Sequence, residues 1–422
     1  MRLSRRELLS SMAALGAAMA LPRMAQAEED VDSIFDVLAR NRALRDADRG
    51  GNTAAAMQAV DTNEPIVSFD TQFNYQSAIA QYEQIVAQGG WEPMPKNALN
   101  LVLGNSRNAV PVIKRRLMIS GDMAPQAKID DLFDQPMDAG VRLFQARHGL
   151  LITGKIDEPT LYAMAVPADY RLSQLRLNAM RIEHLAPTLK SDRYVLVNIP
   201  AAVIEAVEGG TVAQRHTAIV GRVERATPIM SSKVHQVKFN PYWTVPKSII
   251  EKDIIKYMND DPTYLTKYRI RIFDGKGNEI PPEAVNWQSN EAVKYTLRQD
   301  PGGENSMGHC KIDFYNPYDC YLHDTPQKAL FGENARFHSS GCVRVENVDE
   351  LAAWLLRDNG GWDLNTVHAA FESNENINVP LKVQVPIHTT YISAWANRQG
   401  TVSFRSDVYD FDQAGKVTFG DA

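Results

Sequence analysis

The chain has 422 residues, 44% of them hydrophobic, and a formal charge of −6. That length predicts two or three domains with ordinary buried cores. The acidic balance, with no concentrated basic face, argues against a nucleic-acid partner.

Residues 1–6 carry positive charge, and residues 8–21 form an Ala-rich apolar stretch too short to span a bilayer. Ala25-Gln26-Ala27 supplies small residues at the positions where a signal peptide is cut. Ser4-Arg5-Arg6-Glu7-Leu8-Leu9 sets paired arginines before the apolar run, the twin-arginine export pattern. Residues 1–27 are therefore expected to be a signal peptide and the mature protein periplasmic. The alternative is an amphipathic helix kept at the N-terminus. Losing four arginines and one glutamate takes the charge from −6 to −9, which reads as a solvated surface.

Residues 28–63 are polar and Ala-rich, a short helix plus linker. In 75–88, Ile79, Tyr82, Ile85 and Val86 recur at helical spacing before Gly89-Gly90. Residues 96–167 hold three short helices. Val110, Ile113 and Leu117 mark the first, Val141 and Phe144 the second. The third opens at Asp157-Glu158-Pro159, with Asp157 as N-cap. Leu172, Leu175, Leu177, Met180, Ile182 and Leu185 form a further helix. It is expected to pair with 75–88, so that 64–95 and 168–190 make a helical scaffold bracketing the bundle.

From Arg193 the period changes to that of strands: 194–200, 202–210, 216–220 and 234–239 are apolar and β-branched, with Gly209-Gly210 as a turn. Residues 243–300 interrupt them as a helical cap. Strands resume at 311–314 and 319–323, then at 385–393 and 401–408, with a helix at 349–356 and a polar tail at 411–422. The fold expected is α+β and multidomain: helical scaffold, three-helix bundle, and an antiparallel, sandwich-like β-domain over 191–410 with an inserted helical cap.

The chemistry concentrates in His323 and Cys342. A thiol is a strong nucleophile only as thiolate, and a neighbouring imidazole is the usual way to obtain one. In an exported protein a retained reactive thiol is a functional statement, since that compartment favours disulfides. Other readings stand beside it. Cys342 could be a structural thiol. Cys310, Cys320, His323, His338 and Cys342 include ligand spacing for zinc. Cys310 and Cys320 could pair, although simple hairpin register puts them on opposite faces.

Two segments carry resemblances. In 96–167 the order Phe-Asp, Ala-Gly-Val-Arg-Leu-Phe-Gln, Gly-Leu, Gly-Lys-Ile-Asp and Pro-Thr-Leu resembles the peptidoglycan-binding three-helix module. Tyr321-Leu322-His323-Asp324-Thr325-Pro326, Phe331-Gly332, Arg336 and Ser339-Ser340-Gly341-Cys342-Val343-Arg344-Val345 resemble the L,D-transpeptidase (YkuD-type) catalytic motif. Asn240-Pro241-Tyr242-Trp243-Thr244-Val245-Pro246 and 221–228 are similar to the same family, and the whole resembles its large periplasmic form.

That resemblance implies Cys342 as nucleophile and His323 as general acid and base. The Asp324 carbonyl would orient the imidazole, and the Cys342 N–H, with Gly341 or the Tyr321 hydroxyl, would form the oxyanion site. Substrate contacts fall to Arg344, Tyr321, Ser340 and Trp243. The implied partners are peptidoglycan stem peptides, a tetrapeptide donor and a diaminopimelate amine acceptor joined in a 3→3 cross-link, with carbapenems as inhibitors and no cofactor or metal. Water as acceptor would make it an L,D-carboxypeptidase, and a protein amine would make it an enzyme attaching outer-membrane proteins to the wall. A non-catalytic peptidoglycan-binding protein is the reading of another class. Many relatives carry His before Gly-Cys where this chain has Ser340, and His338 is expected to have only a structural role.

Overall fold

The computed structural model describes residues 51–68 and 71–419. The expected signal peptide and most of the expected linker lie outside these residues. Six helices come first: α1 (Gly51–Val60), α2 (Thr71–Ala87), α3 (Val110–Ile119), α4 (Gln135–Arg147), α5 (Glu158–Ala165) and α6 (Ala168–Leu185).

Helices α3 to α5 build the bundle. Val110, Ile113 and Leu117 interlock with Met137, Val141 and Phe144 and with Met164, all of them fully buried. Each later helix starts where its sequence dictates. Asp134 Oδ1 accepts the Met137 N–H at 3.0 Å and Asp157 Oδ1 the Thr160 N–H at 2.9 Å, capping orphan amides beside a proline in the first turn. Arg147 and Asp122 form a fully buried two-point ion pair at 2.5 and 2.6 Å. Residues 51–60, within the segment expected to be a short helix plus linker, form α1, which packs on α4. Asn52 donates to Asp138 at 3.2 Å and Arg142 to Thr53 at 2.9 Å. The Ala-rich composition that suggested loose chain also allows close helix packing.

Helices α2 and α6 do pair. Tyr75, Ala78, Tyr82 and Ile85 share a core with Leu172, Leu175 and Ile182. That core is finished by the last strands of the chain, β14 (Ala394–Ala396) and β15 (Val402–Phe404). The expected polar tail is also packed. Phe411 lies against the main core, and Asp412 is ion-paired to Arg181 at 2.5 Å.

The β-domain contains β1 (Arg193–Asn198), β2 (Val203–Glu208), β3 (Thr211–Gly221), β4 (Met230–Phe239), β9 (Cys310–Phe314), β10 (Leu322–His323), β11 (Phe337–Ser339), β12 (Val343–Val345) and β13 (Ile377–Thr390). They form one sheet in the order β11-β3-β12-β10-β9-β4-β13-β1-β2, and β3 also pairs with β2. The sheet therefore closes on itself, where an antiparallel sandwich was expected. Three pairings are parallel: β1 with β13, β10 with β12, and β11 with β3. The nineteen-residue path from β10 to β12, residues 324–342, is long enough for a parallel crossover, which a hairpin is not. Two helices, α8 (Val348–Leu356) and α9 (Leu364–Glu372), pack on the sheet core through Leu351, Leu355 and Val367.

The insertion is more than helical. Strands β5 (Trp243–Thr244), β6 (Ile270–Phe273), β7 (Glu279–Ile280) and β8 (Thr296–Gln299) form an antiparallel sheet in the order β5-β8-β6-β7. A helical stretch with a π-helical turn at Ile250–Ile254 leads into α7 (Ile255–Asp260). Ile250, Ile254, Met258, Ile270, Ile272 and Leu297 give this insertion its own core.

Candidate active site

The parallel register of β10 and β12 places the site. Leu322 lies opposite Val343 and His323 opposite Arg344. Leu322 and Val343 are fully buried in the sheet core. Alternation then sends Tyr321, His323, Cys342 and Arg344 to the other face. The two sequence motifs, nineteen residues apart, thus become neighbours through one pair of short strands. Lys311 on β9, opposite His323, joins them; its ammonium sits 4.1 Å from the Tyr321 ring centroid.

His323 is 7% exposed. Its Nδ1–H donates to the Asp324 carbonyl at 2.5 Å, which fixes the tautomer and leaves the Nε2 lone pair for a proton. Burial, reinforced by the Arg344 charge, pushes its pKa down to about 3, so the ring is neutral at pH 7. Asp324 is itself held. Its carboxylate accepts from the His309 N–H at 2.9 Å and from Lys328.

Cys342 is partly exposed, and its Sγ lies 3.6 Å from the Asp319 carbonyl. The Cys320 thiol beside it draws its pKa below the usual cysteine range, against the burial that pushes it up; Tyr321 and Lys311 add to the lowering. The ring of Tyr321 stands edge-on to His323 at 5.5 Å, and its hydroxyl interacts with the Trp243 indole from the insertion.

The loop before Cys342 is tied down at every residue. Ser339 Oγ donates to the Cys342 carbonyl at 2.5 Å and accepts the Gly341 N–H at 3.2 Å. Gly341 adopts φ +117°, a conformation that favours glycine. Its N–H is turned to Ser339, whereas the Cys342 N–H has no protein acceptor among the described residues. Thr227 Oγ1 donates to the Gly341 carbonyl at 2.9 Å. Ser340 accepts from Arg225 at 2.8 Å and Arg222 at 3.3 Å, and Arg225 pairs at 2.5 Å with Asp253 of the insertion. Ser340 therefore links the nucleophile loop to the 221–228 segment and, through Arg225, to the insertion. Arg344 donates to Gln327 at 2.7 Å.

Sequence reasoning overlooked Thr227, Arg225, Gly308 and the placing of Cys320. The first two lie in the 221–228 segment already marked by resemblance, so the signal for them was present. Cys310 and Cys320 are free and buried. The five residues weighed as zinc ligands do not converge: Cys310 lies in the core, and His338 is at the surface on Glu333 at 2.8 Å. Among the described residues no three His, Cys, Asp or Glu side chains form a metal-binding group, and no helix is long and apolar enough to cross a membrane.

Residues 192–381 match the family described as "L,D-transpeptidase catalytic domain", and residues 106–164 the family described as "Putative peptidoglycan binding domain". A Haemophilus influenzae protein named "Putative L,D-transpeptidase" is 32% identical over 57% of this chain and 48% of its own length. The chain thus spans about half of that curated relative. Among solved structures, an L,D-transpeptidase from Stackebrandtia nassauensis is 14% identical and covers 72% of this chain and 98% of its own, with a TM-score of 0.26. L,D-transpeptidase 3 from Mycobacterium tuberculosis, in complex with a faropenem-derived adduct, is 12% identical and covers 47% of this chain and 60% of its own, with a TM-score of 0.24. At such scores neither superposition supports a residue-by-residue comparison.

Proposed function

Taking residues 192–381 as an L,D-transpeptidase catalytic domain and 106–164 as a peptidoglycan-binding domain, we propose that the protein forms 3→3 cross-links between stem peptides through a thioester on Cys342. The Cys342 thiolate attacks the carbonyl joining the third and fourth residues of a tetrapeptide stem. Charge developing on that oxygen falls to the Cys342 N–H. His323 Nε2 takes the thiol proton and returns it to the departing D-alanine amine. The diaminopimelate amine of a second stem then attacks the thioester, giving up its proton to His323 and restoring the thiol. No metal or cofactor enters this scheme.

The observation that carries this reading is the shared face. Cys342, His323, Tyr321 and Arg344 point one way from adjoining strands, with the imidazole held by the Asp324 carbonyl at 2.5 Å. Arg344, two residues after Cys342 and already donating to Gln327, suits a substrate carboxylate. Trp243 and Tyr321 suit the stem, and the insertion that supplies Trp243 suits selection of the acceptor. Export to the periplasm through residues 1–27 belongs to the same proposal.

Incubating the protein with disaccharide-tetrapeptide should give cross-linked dimers by mass spectrometry. Hydrolysed tripeptide alone would favour the carboxypeptidase alternative, and transfer only to a protein amine would favour wall attachment. A carbapenem should add its mass to the intact protein and not to a Cys342→Ala variant, because the thiolate opens the strained lactam. An unlabelled wild-type protein after long incubation would sink the reading.

A further inference from the structure

Cys342 has a second thiol for a neighbour. Cys320 precedes β10, and the register that sets Leu322 opposite Val343 brings Cys320 to Gly341. It is 4% exposed. Asn316 clamps its backbone, accepting the Cys320 N–H at 2.9 Å and donating to its carbonyl at 2.7 Å. The clamp and the left-handed turn at Asp319 (φ +52°) aim the thiol at the nucleophile loop. Cys320 Sγ lies 3.5 Å from the Gly341 carbonyl, while Cys342 Sγ lies 3.6 Å from the Asp319 carbonyl. The contacts are reciprocal, each thiol reaching the residue just before the other, which sets the two sulfurs side by side.

We propose that Cys320 is a positioning residue for the nucleophile: its buried S–H turns to the Cys342 sulfur as that thiol gives up its proton, eases the ionisation and keeps the sulfur directed at the substrate face. Tyr321 and Lys311 face the same sulfur and also favour its charged form. The His323 ring is buried and neutral, so it offers no positive charge to a resting thiolate. The Arg344 guanidinium donates to Gln327 and adds its charge on the same side. Cys320 itself stays protonated because the adjacent Cys342 sulfur and then burial push its pKa well above the ordinary value, which leaves its proton available as a donor. When Cys342 is protonated, the Cys320 S–H rests on the Gly341 carbonyl. When Cys342 ionises, the same proton turns to the charged sulfur, a stronger acceptor.

This inference rests on Cys342 as the acylated residue, but it concerns the acidity of that thiol and is read without substrate. The full chain, kept reduced, is alkylated with iodoacetamide across pH 5–10, and the rate is followed on the Cys342 peptide. In Cys320→Ala the midpoint of the profile should rise by about one pH unit, with a roughly tenfold lower rate at neutral pH. Cys320→Ser keeps a donor and should recover most of the wild-type profile. An unchanged midpoint in Cys320→Ala at wild-type Tm overturns the proposal, as does a serine variant that behaves like alanine. If the alanine variant does not fold, Cys320→Val fills the core space without a donor and decides the question in its place. A wild-type Cys342 with a low midpoint that never forms a thioester would overturn the transpeptidase reading and leave the role of Cys320 standing.

Discussion

His323 and Gly341 show how little freedom the site residues have. The imidazole is held neutral by burial and fixed by one carbonyl, so its Nε2 can accept a proton without first losing one. His323→Ala should lower the rate of thioester formation by roughly 10²–10⁴-fold, the usual yield of a positioned acid–base group. Stopped-flow acylation by a carbapenem reads that rate. A Cβ on Gly341 would meet nothing closer than 3.7 Å, so the loop has room for alanine. The obstacle is φ +117°, and Gly341→Ala should cost about 1–2 kcal/mol of stability together with most of the activity. Gly308 is the opposite case. A Cβ there would lie 2.2 Å from Asp324 Oδ2, which the His309 N–H holds in place. Gly308→Ala should therefore displace Asp324 and its grip on His323, slowing acylation roughly tenfold to a hundredfold with intact secondary structure. His323, Cys342 and the Asp324 carbonyl were legible in the sequence because they share one ordered motif. Gly308 and Cys320 were not, since their importance comes from contacts between segments that the sequence does not show as adjacent.

Element boundaries followed local signals where those signals were local. Asp134 and Asp157 cap α4 and α5; Asp157→Ala should cost about 1 kcal/mol in urea denaturation, with the exposed mid-helix Tyr162 as control, and Asp134→Ala more, because Asp134 also pairs with buried Lys114 at 2.7 Å. The buried Arg147–Asp122 pair lies between α4 and the end of α3, and Asp122→Asn should cost more, about 3–5 kcal/mol, by leaving a guanidinium buried without its counter-charge. The insertion was read as helical although Ile270-Arg271-Ile272 alternates strictly and Asp274-Gly275-Lys276-Gly277-Asn278 is a strong turn signal. That signal was available and is now seen as the β6–β7 hairpin. The closed sheet is different in kind. Nothing local in β3 announces that one edge carries β2 and β11 in succession while β12 takes the other, because that follows from pairings between distant segments.

Across the molecule, four histidines are held with depressed affinity for protons: His323 at about 3, His388 at about 4, His148 well below its ordinary value and His216 below it, all through burial. The unfolded chain binds protons at these residues near pH 6.5, and the folded chain does so only at lower pH. Their share of stability is therefore complete above about pH 6.5 and is lost as pH falls toward 4. The expected slope is about 1.4 kcal/mol per pH unit for each proton taken up on unfolding. Urea denaturation at pH 7.5, 6.5 and 5.5 should show the decline begin below the middle value; equal stability at all three would refute it.

The helical scaffold also has a history in time. The Tyr75 hydroxyl donates to the Ala394 carbonyl, Asn178 donates to Ser393 at 2.8 Å, and Arg147 donates to Val402 at 3.0 Å. The ribosome delivers α2 more than three hundred residues before the strand that completes its core. Until then the early helices wait with an apolar face uncovered. A nascent chain released before Ala394 would therefore lose its first half as well as its last, and a stop codon near the end should act like one near the beginning.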